Sequence, residues 1–268
     1  MDRASCPSPT TQPADMSRIR AWTRQNLSRP EELPISFVYG GQALHGIPES
    51  WHPTSNQRRV DANITETVYE GTNTETGLAI RVECTEYRDY PVAEWVVWFT
   101  NKGSGATPVL SDVLAIDGSF AGASPVVQHC NGDYCSADGY TPQATPLRAG
   151  GDLSFAPRGG RPCDGAFPYF RVAFDGWGLC MAIGWPAQWA VSFSGLGDSV
   201  HVCAGQERTH LRLMPGESIR SPRMSLLFWN GHVSRGVNLW RRWYLTHILP
   251  RPNGRPMAPL LACSGTGE

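Results

Sequence analysis

Lysine is almost missing from this 268-residue chain: Lys102 is the only one, and apart from the histidines every other basic residue is an arginine. With a formal charge of -1 the chain has no surplus of positive charge. Gripping nucleic-acid phosphate or an anionic membrane needs clustered positive charge, so neither is expected as a partner. The arginine preference reads either as coding bias or as a surface of planar donors suited to carboxylates and sugar hydroxyls. The opening MDRASCPSPTTQPADMSRIRAW lacks the apolar run of about 7–15 residues that a secretory leader carries. No stretch approaches the roughly 20 apolar residues of a membrane helix. The eight cysteines contain no CxxC pair and no regular framework, and Cys84 and Cys180 sit inside strand-like runs as small buried hydrophobes. A reducing, cytoplasmic setting is the expectation.

The familiar catalytic signatures are also missing. No GxSxG, no HExxH and no GxGxxG after a strand occurs, and a single lysine rules out GxxxxGK[ST]. Free-standing catalysis is not expected. The seven histidines are scattered, and no spacing supplies three converging metal ligands, so neither metal nor cofactor is expected. The group His129, Cys130, Asp133, Cys135 and Asp138 reads as a turn-rich loop reversed at Asn131-Gly132 and Asp138-Gly139, as a zinc site, or as a polar rim facing a sugar or a neighbouring domain. Glycoside chemistry needs an acid and a base or nucleophile flanking the scissile bond. Glu49, Glu94, Asp112, Asp117, Asp133 and Asp138 are available, but nothing in the spacing pairs them. A mutarotase-like enzyme would use His129 or His210 with Glu207.

What is present is a core. Hydrophobic residues make up 41% and charged residues 18%, enough to bury a sizeable interior. Residues 166–193, AFPYFRVAFDGWGLCMAIGWPAQWAVSF, read as three strands parted by Asp175-Gly176 and Pro186-Ala187. Phe167, Phe170, Phe174, Trp177, Trp185, Trp189 and Phe193 are its candidate core. Alternation recurs along most of the remaining chain, giving about twelve strands in one large all-β antiparallel sandwich. Residues 1–34, rich in proline, read as a mobile tail and residues 35–249 as the domain. Residues 128–162 read as a long polar stretch without regular structure. One helix is expected over 234–247, with Ser234 as N-cap and Val237, Trp240, Tyr244 and Ile248 as its apolar stripe. Residues 250–268 read as a linker. Trp51, in a loop beside Arg58 and Arg59, either stacks on a sugar ring while the arginines donate to hydroxyls, or plugs the end of the sandwich.

The succession FVYGG, EYRDYPVAEWVVWFTN, HCNGDYCSADGYTP, APRGGRPCDGAFPYF, GLCMAIGWPAQWAVSF, AGQERTHLRLMPGESIRSPRMSLLFW and RGVNLWRRWYLTHILPRPNGRP resembles the N-terminal β-sandwich of family 36 α-galactosidases, over residues 35 to 263. The resemblance implies a galactose mutarotase-like β-supersandwich that precedes a (β/α)₈ barrel. In the family the barrel supplies the two catalytic aspartates of retaining hydrolysis, and no position of this chain inherits them. It also implies packing on that barrel, assembly into homo-oligomers, and a loop reaching toward an α-galactoside. Candidate substrate-binding residues are therefore Trp51, Arg58, Arg59, Asp133, Asp138 and Tyr140. Trp240 and Trp243 are candidates for docking, beside an exposed apolar face. An independent carbohydrate-binding module is the alternative.

Overall fold

The computed structural model describes residues 10–133, 136–255 and 257. Among these, seventeen strands and two α-helices build two facing antiparallel sheets. Helix α1 spans Pro13–Asn26, and the strands follow: β1 (Ser36–Tyr39), β2 (Gln42–His45), β3 (Thr54–Arg59), β4 (Ile64–Thr72), β5 (Leu78–Tyr87), β6 (Val92–Asn101), β7 (Leu110–Ala121), β8 (Val126–Cys130) and β9 (Pro142–Pro146). Then come β10 (Asp152–Phe155), β11 (Tyr169–Phe174), β12 (Trp177–Gly184), β13 (Trp189–Gly195), β14 (Ser199–Gln206), β15 (His210–Leu211), β16 (Ser218–Arg220) and β17 (Arg223–Asn230), before helix α2 (Val233–Trp243). The smaller sheet runs β10-β13-β14-β7-β1-β2 with β15 beside β7. The larger runs β3-β4-β5-β6-β17-β12-β11-β8-β9 with β16 beside β6.

The 166–193 stretch joins the two layers. Asp175-Gly176 closes the β11–β12 hairpin, with Gly176 at φ +75. After Trp185-Pro186 the chain leaves the larger sheet, and β13 pairs with β14 in the smaller one. The second turn signal is therefore a crossing between layers. Phe170, Phe174, Trp189 and Phe193 alternate inward and meet Trp95, Phe99 and Phe228 between the sheets. Two of the indole N–H groups between the sheets are satisfied by carbonyls, Trp95 Nε1 donating to Ala115 O at 2.6 Å and Trp189 Nε1 to Pro162 O at 2.8 Å. Phe167 departs from expectation: it lies on the outer face, stacked on Tyr169 at 4.9 Å.

Strands β6, β12 and β17 are buried on both faces because α2 covers the outside of the larger sheet. Leu239 and Trp243 pack there on Cys180, Leu227 and Trp229. A Cβ on Gly236 would lie 2.4 Å from the Trp229 ring, so glycine is what lets the helix rest on that indole. The expected apolar stripe is not the buried one. Gly236, Leu239 and Trp243 face the sheet, while Val237, Trp240 and Tyr244 look sideways along it. His232, two residues earlier than the expected Ser234, is the N-cap, and a π-helical turn over Tyr244–Ile248 extends the helix.

Two other expectations are corrected. Much of the 128–162 stretch is a β8–β9 hairpin followed by edge strand β10. Residues 10–34 are not a tail. Pro13 starts α1, where a proline costs no hydrogen bond, and Asp15 accepts from Gln12 N at 2.8 Å. Trp22 then reaches between the sheets, its ring centroid 5.6 Å from Trp95 and 6.0 Å from Phe120. Asp15, fully buried, meets the equally buried Arg235 of α2, which donates from Nη1 to Asp15 Oδ1 at 2.9 Å. Residues 1–9 of the expected tail and most of the 250–268 linker lie outside the described residues.

Candidate functional site

Of the two readings of Trp51, sugar platform or plug of the sandwich, its burial fits the plug. Trp51 is 4% exposed and packs on Phe37 and Tyr39, each ring 5.9 Å away, so it fills the end of the sandwich. Arg58 and Arg59 lie on β3, the far edge of the larger sheet. Arg58 pairs with Glu66, and Arg59 donates to the carbonyls of Asp61 and Ala62 at 2.9 and 3.1 Å. These arginines brace their own edge. Asp133 and Asp138 belong to the β8–β9 connection. The Asp138 carbonyl accepts from Asn131 Nδ2 at 2.9 Å and from Thr141 Oγ1 at 2.6 Å, while its carboxylate takes Ser136. Asp133 N donates to Cys163 O at 2.7 Å. The neighbouring Gly132, at φ +68, sits where a Cβ would come within 2.1 Å of that carbonyl. This tight turn positions Tyr140, whose N–H donates to Gly132 O at 2.8 Å.

Tyr140 is the member of the predicted set that reaches the aromatic groove, whereas Arg58 lines a separate, polar hollow beside Glu66, Glu70 and Arg81. Tyr140 stands on the rim of that groove, which measures about 630 Å³ and lies between the outer face of the larger sheet and α2. Register builds the floor, because Arg171 on β11 pairs with Gln128 on β8 and with Cys180 on β12, which puts three side chains in one row. Trp240 and Tyr244 form one wall. Phe167, held edge-on by Tyr140 at 5.3 Å, forms the other. Tyr169 bridges them, its hydroxyl 2.7 Å from that of Tyr244.

The shifted titratable groups of the groove are all held toward their neutral forms. Burial, reinforced by the Tyr169 hydroxyl, pushes the Tyr244 phenol well above its ordinary value, so it stays neutral. Burial pushes the Cys180 thiol up to about 12 against the opposing charge of Arg171, leaving it inert. His129, its ring 4.4 Å from Phe155, is held below the ordinary imidazole value by burial. Among the described residues no carboxylate lies within ion-pair distance of Arg171, and none lines the groove. Aromatic walls with a few placed polar donors are the general make-up of a small-molecule pocket.

The other catalytic candidates stay apart. Glu94 is 5% exposed and locked by Tyr87 Oη at 2.8 Å and Ser225 Oγ at 2.6 Å. His129 lies on the larger sheet and His210 on the smaller, with Glu207 exposed in the turn before β15. For the docking candidates, Trp243 is 1% exposed against the sheet and Trp240 is half-buried in the groove wall. Beyond them in the chain, Leu245, Ile248, Leu249 and Met257 are exposed apolar side chains. Gln128, Phe167, Tyr169 and Arg171 were missed by sequence reasoning. The signal was the period-2 alternation of FPYFRVAF, which sets Tyr169 and Arg171 opposite the core residues Phe170, Val172 and Phe174.

The class defined by these sheets is a large antiparallel β-supersandwich with an aromatic groove on its outer face. No family model matches the chain, and no curated protein sequence does. Solved structures do. An α-galactosidase from Lactobacillus brevis superposes with a TM-score of 0.63 at 13% identity, covering 81% of this chain and 31% of its own. A family 36 α-galactosidase from Geobacillus stearothermophilus gives 0.63 at 14% identity, with 93% and 37% covered. A second from that organism, in complex with raffinose, gives 0.63 at 14%, with 81% and 33% covered. The fold is thus one these α-galactosidases contain, and the chain spans about a third of their length.

Proposed function

We propose that this chain serves as a non-catalytic sandwich of an α-galactosidase-type glycoside hydrolase, packing against a catalytic barrel and holding it in an assembly. The observation that carries the reading is the shared fold, which takes in 81–93% of this chain but only 31–37% of the three α-galactosidases. The apolar side chains at the end of α2 support it, because Leu245 at 57% and Leu249 at 49% exposure sit together where a neighbouring domain could cover them. A second reading, an independent carbohydrate-binding module, is favoured by the unpaired Arg171 between Tyr140, Tyr169 and Trp240. One experiment separates the two. The purified chain is mixed with a chromogenic α-galactoside and, in parallel, titrated with raffinose while tryptophan fluorescence is followed. The accessory reading expects neither turnover nor a saturable signal. Saturable binding lost in Arg171→Ala establishes the module instead, and turnover by this chain overturns both.

A further inference from the structure

Far from the groove, on the solvent face of the smaller sheet, three side chains of ligating type converge. Asp117 stands on β7, and His201 and Cys203 stand on β14. The ladder places Cys203 opposite Asp117 and His201 opposite Ser119. His201 and Cys203, two residues apart on one strand, share a face, while Val202 and Ala204 point into the core. His201 Nε2 lies 2.9 Å from Asp117 Oδ1 and 3.3 Å from Cys203 Sγ, and that sulfur lies 3.7 Å from the same carboxylate oxygen.

We infer that Asp117, His201 and Cys203 form a binding site for a divalent transition metal of the zinc type. With bonds of about 2.0–2.3 Å in tetrahedral coordination, neighbouring ligand atoms stand roughly 3.3–3.6 Å apart. The observed triangle, with sides of 2.9, 3.3 and 3.7 Å, is close to one face of such a tetrahedron and needs only a few tenths of an ångström of adjustment at each edge. A thiolate and an imidazole beside a single carboxylate select zinc or cobalt over magnesium or calcium, which take oxygen ligands. The alternative for these residue types is a nucleophile–base–carboxylate relay, and the geometry excludes it: a relay places thiol and carboxylate on opposite ring nitrogens, whereas here both approach Nε2. The other nitrogen, Nδ1, is 2.9 Å from Ser119 Oγ. That contact fixes the ring, and with Nδ1–H donating to the serine the Nε2 lone pair faces the site, the outer-shell arrangement typical of metal-bound histidine.

The ion can reach this place. The His201 and Asp117 side chains are 34% and 24% exposed, and the fourth corner of the tetrahedron opens to solvent. On binding, the Cys203 thiol gives its proton to solvent and becomes the thiolate ligand. The metal would then bridge β7 and β14, the central strands of the smaller sheet, from the side not covered by core packing.

Cobalt tests the site because a thiolate ligand gives it a charge-transfer band that zinc and water lack. The reduced, metal-stripped chain titrated with Co²⁺ should take up one equivalent, develop that band, and lose it when Zn²⁺ is added. Cys203→Ser should abolish the band. His201→Gln and Asp117→Asn should weaken uptake at least about tenfold, and Ser119→Ala by about 10- to 100-fold through the lost orientation of the ring. All four side chains are on an open strand face, and circular dichroism checks that each variant folds. A band of undiminished strength in Cys203→Ser would place the metal on another cysteine and overturn the assignment, as would the absence of uptake by the parent chain.

Discussion

Asp15 shows how much a single buried charge carries here. Its side chain has no exposure, and it accepts from Arg235, from Gln12 N at 2.8 Å and from Asn230 N at 2.8 Å. Burial alone would raise its pKa. The Arg235 guanidinium and the two backbone N–H donors outweigh that and hold the carboxyl below the usual value. Asp15→Asn keeps the shape but leaves Arg235 buried without a counter-charge, so a loss of about 3–5 kcal/mol is expected. A carboxyl with a depressed native pKa contributes fully above its unfolded value of about 3.9, and the contribution is lost as pH falls through the native value. Urea midpoints measured from pH 7 down to about 2 should therefore fall steeply below pH 4 in the parent and less steeply in Asp15→Asn. Equal acid limbs would show that the pair contributes nothing specific.

At the level of elements, the sandwich depends on two helices that grip its larger sheet from different sides. Helix α1 inserts Trp22 among Trp95, Phe120 and Phe228, closing the gap between the layers. Helix α2 lies on Trp229, and that contact has no spare room, since even a methyl at Gly236 meets the ring at 2.4 Å. Gly236→Ala raises helix propensity by up to about 1 kcal/mol, yet overpacking costs about 1–3 kcal/mol. The expected outcome is net destabilisation with loss of the groove wall formed by Trp240 and Tyr244, read as a lower melting temperature and a changed tryptophan emission. A more stable variant would mean that the helix shifts freely on the sheet.

For the molecule as a whole, the exposed apolar turn after α2 is the feature that separates docking from core. Leu245 and Leu249 touch the rim of the groove without being buried in it. Arginine at both positions should change stability by no more than about 0.5 kcal/mol, while reducing the binding of a hydrophobic dye or self-association of the isolated chain. Unfolding of the double variant would instead assign both leucines to the core. The metal triad lies on the opposite layer, so its occupancy and the docking face should titrate independently, because sites with no shared contacts act additively.

Alternation of apolar and polar residues determined the strand content, and the aromatic run at 166–193 determined where the core would be, because side-chain period and ring burial are local properties that one strand carries alone. Residues around Pro13 looked unstructured because proline suppresses helices in their interior, yet at the first turn it begins one. What makes α1 part of the fold is its distant partners, Trp95 against Trp22 and Arg235 against Asp15, the latter pair 220 residues apart. The groove and the triad were closed to sequence reading for the same reason. Gln128 meets Arg171, and Asp117 meets Cys203, through strand register between distant segments. Trp51, conspicuous in sequence, went inside because Phe37 and Tyr39 offered it apolar surface that no neighbour in the chain reveals. Local pattern chose the elements; pairing across 42 to 220 residues chose which side chains meet.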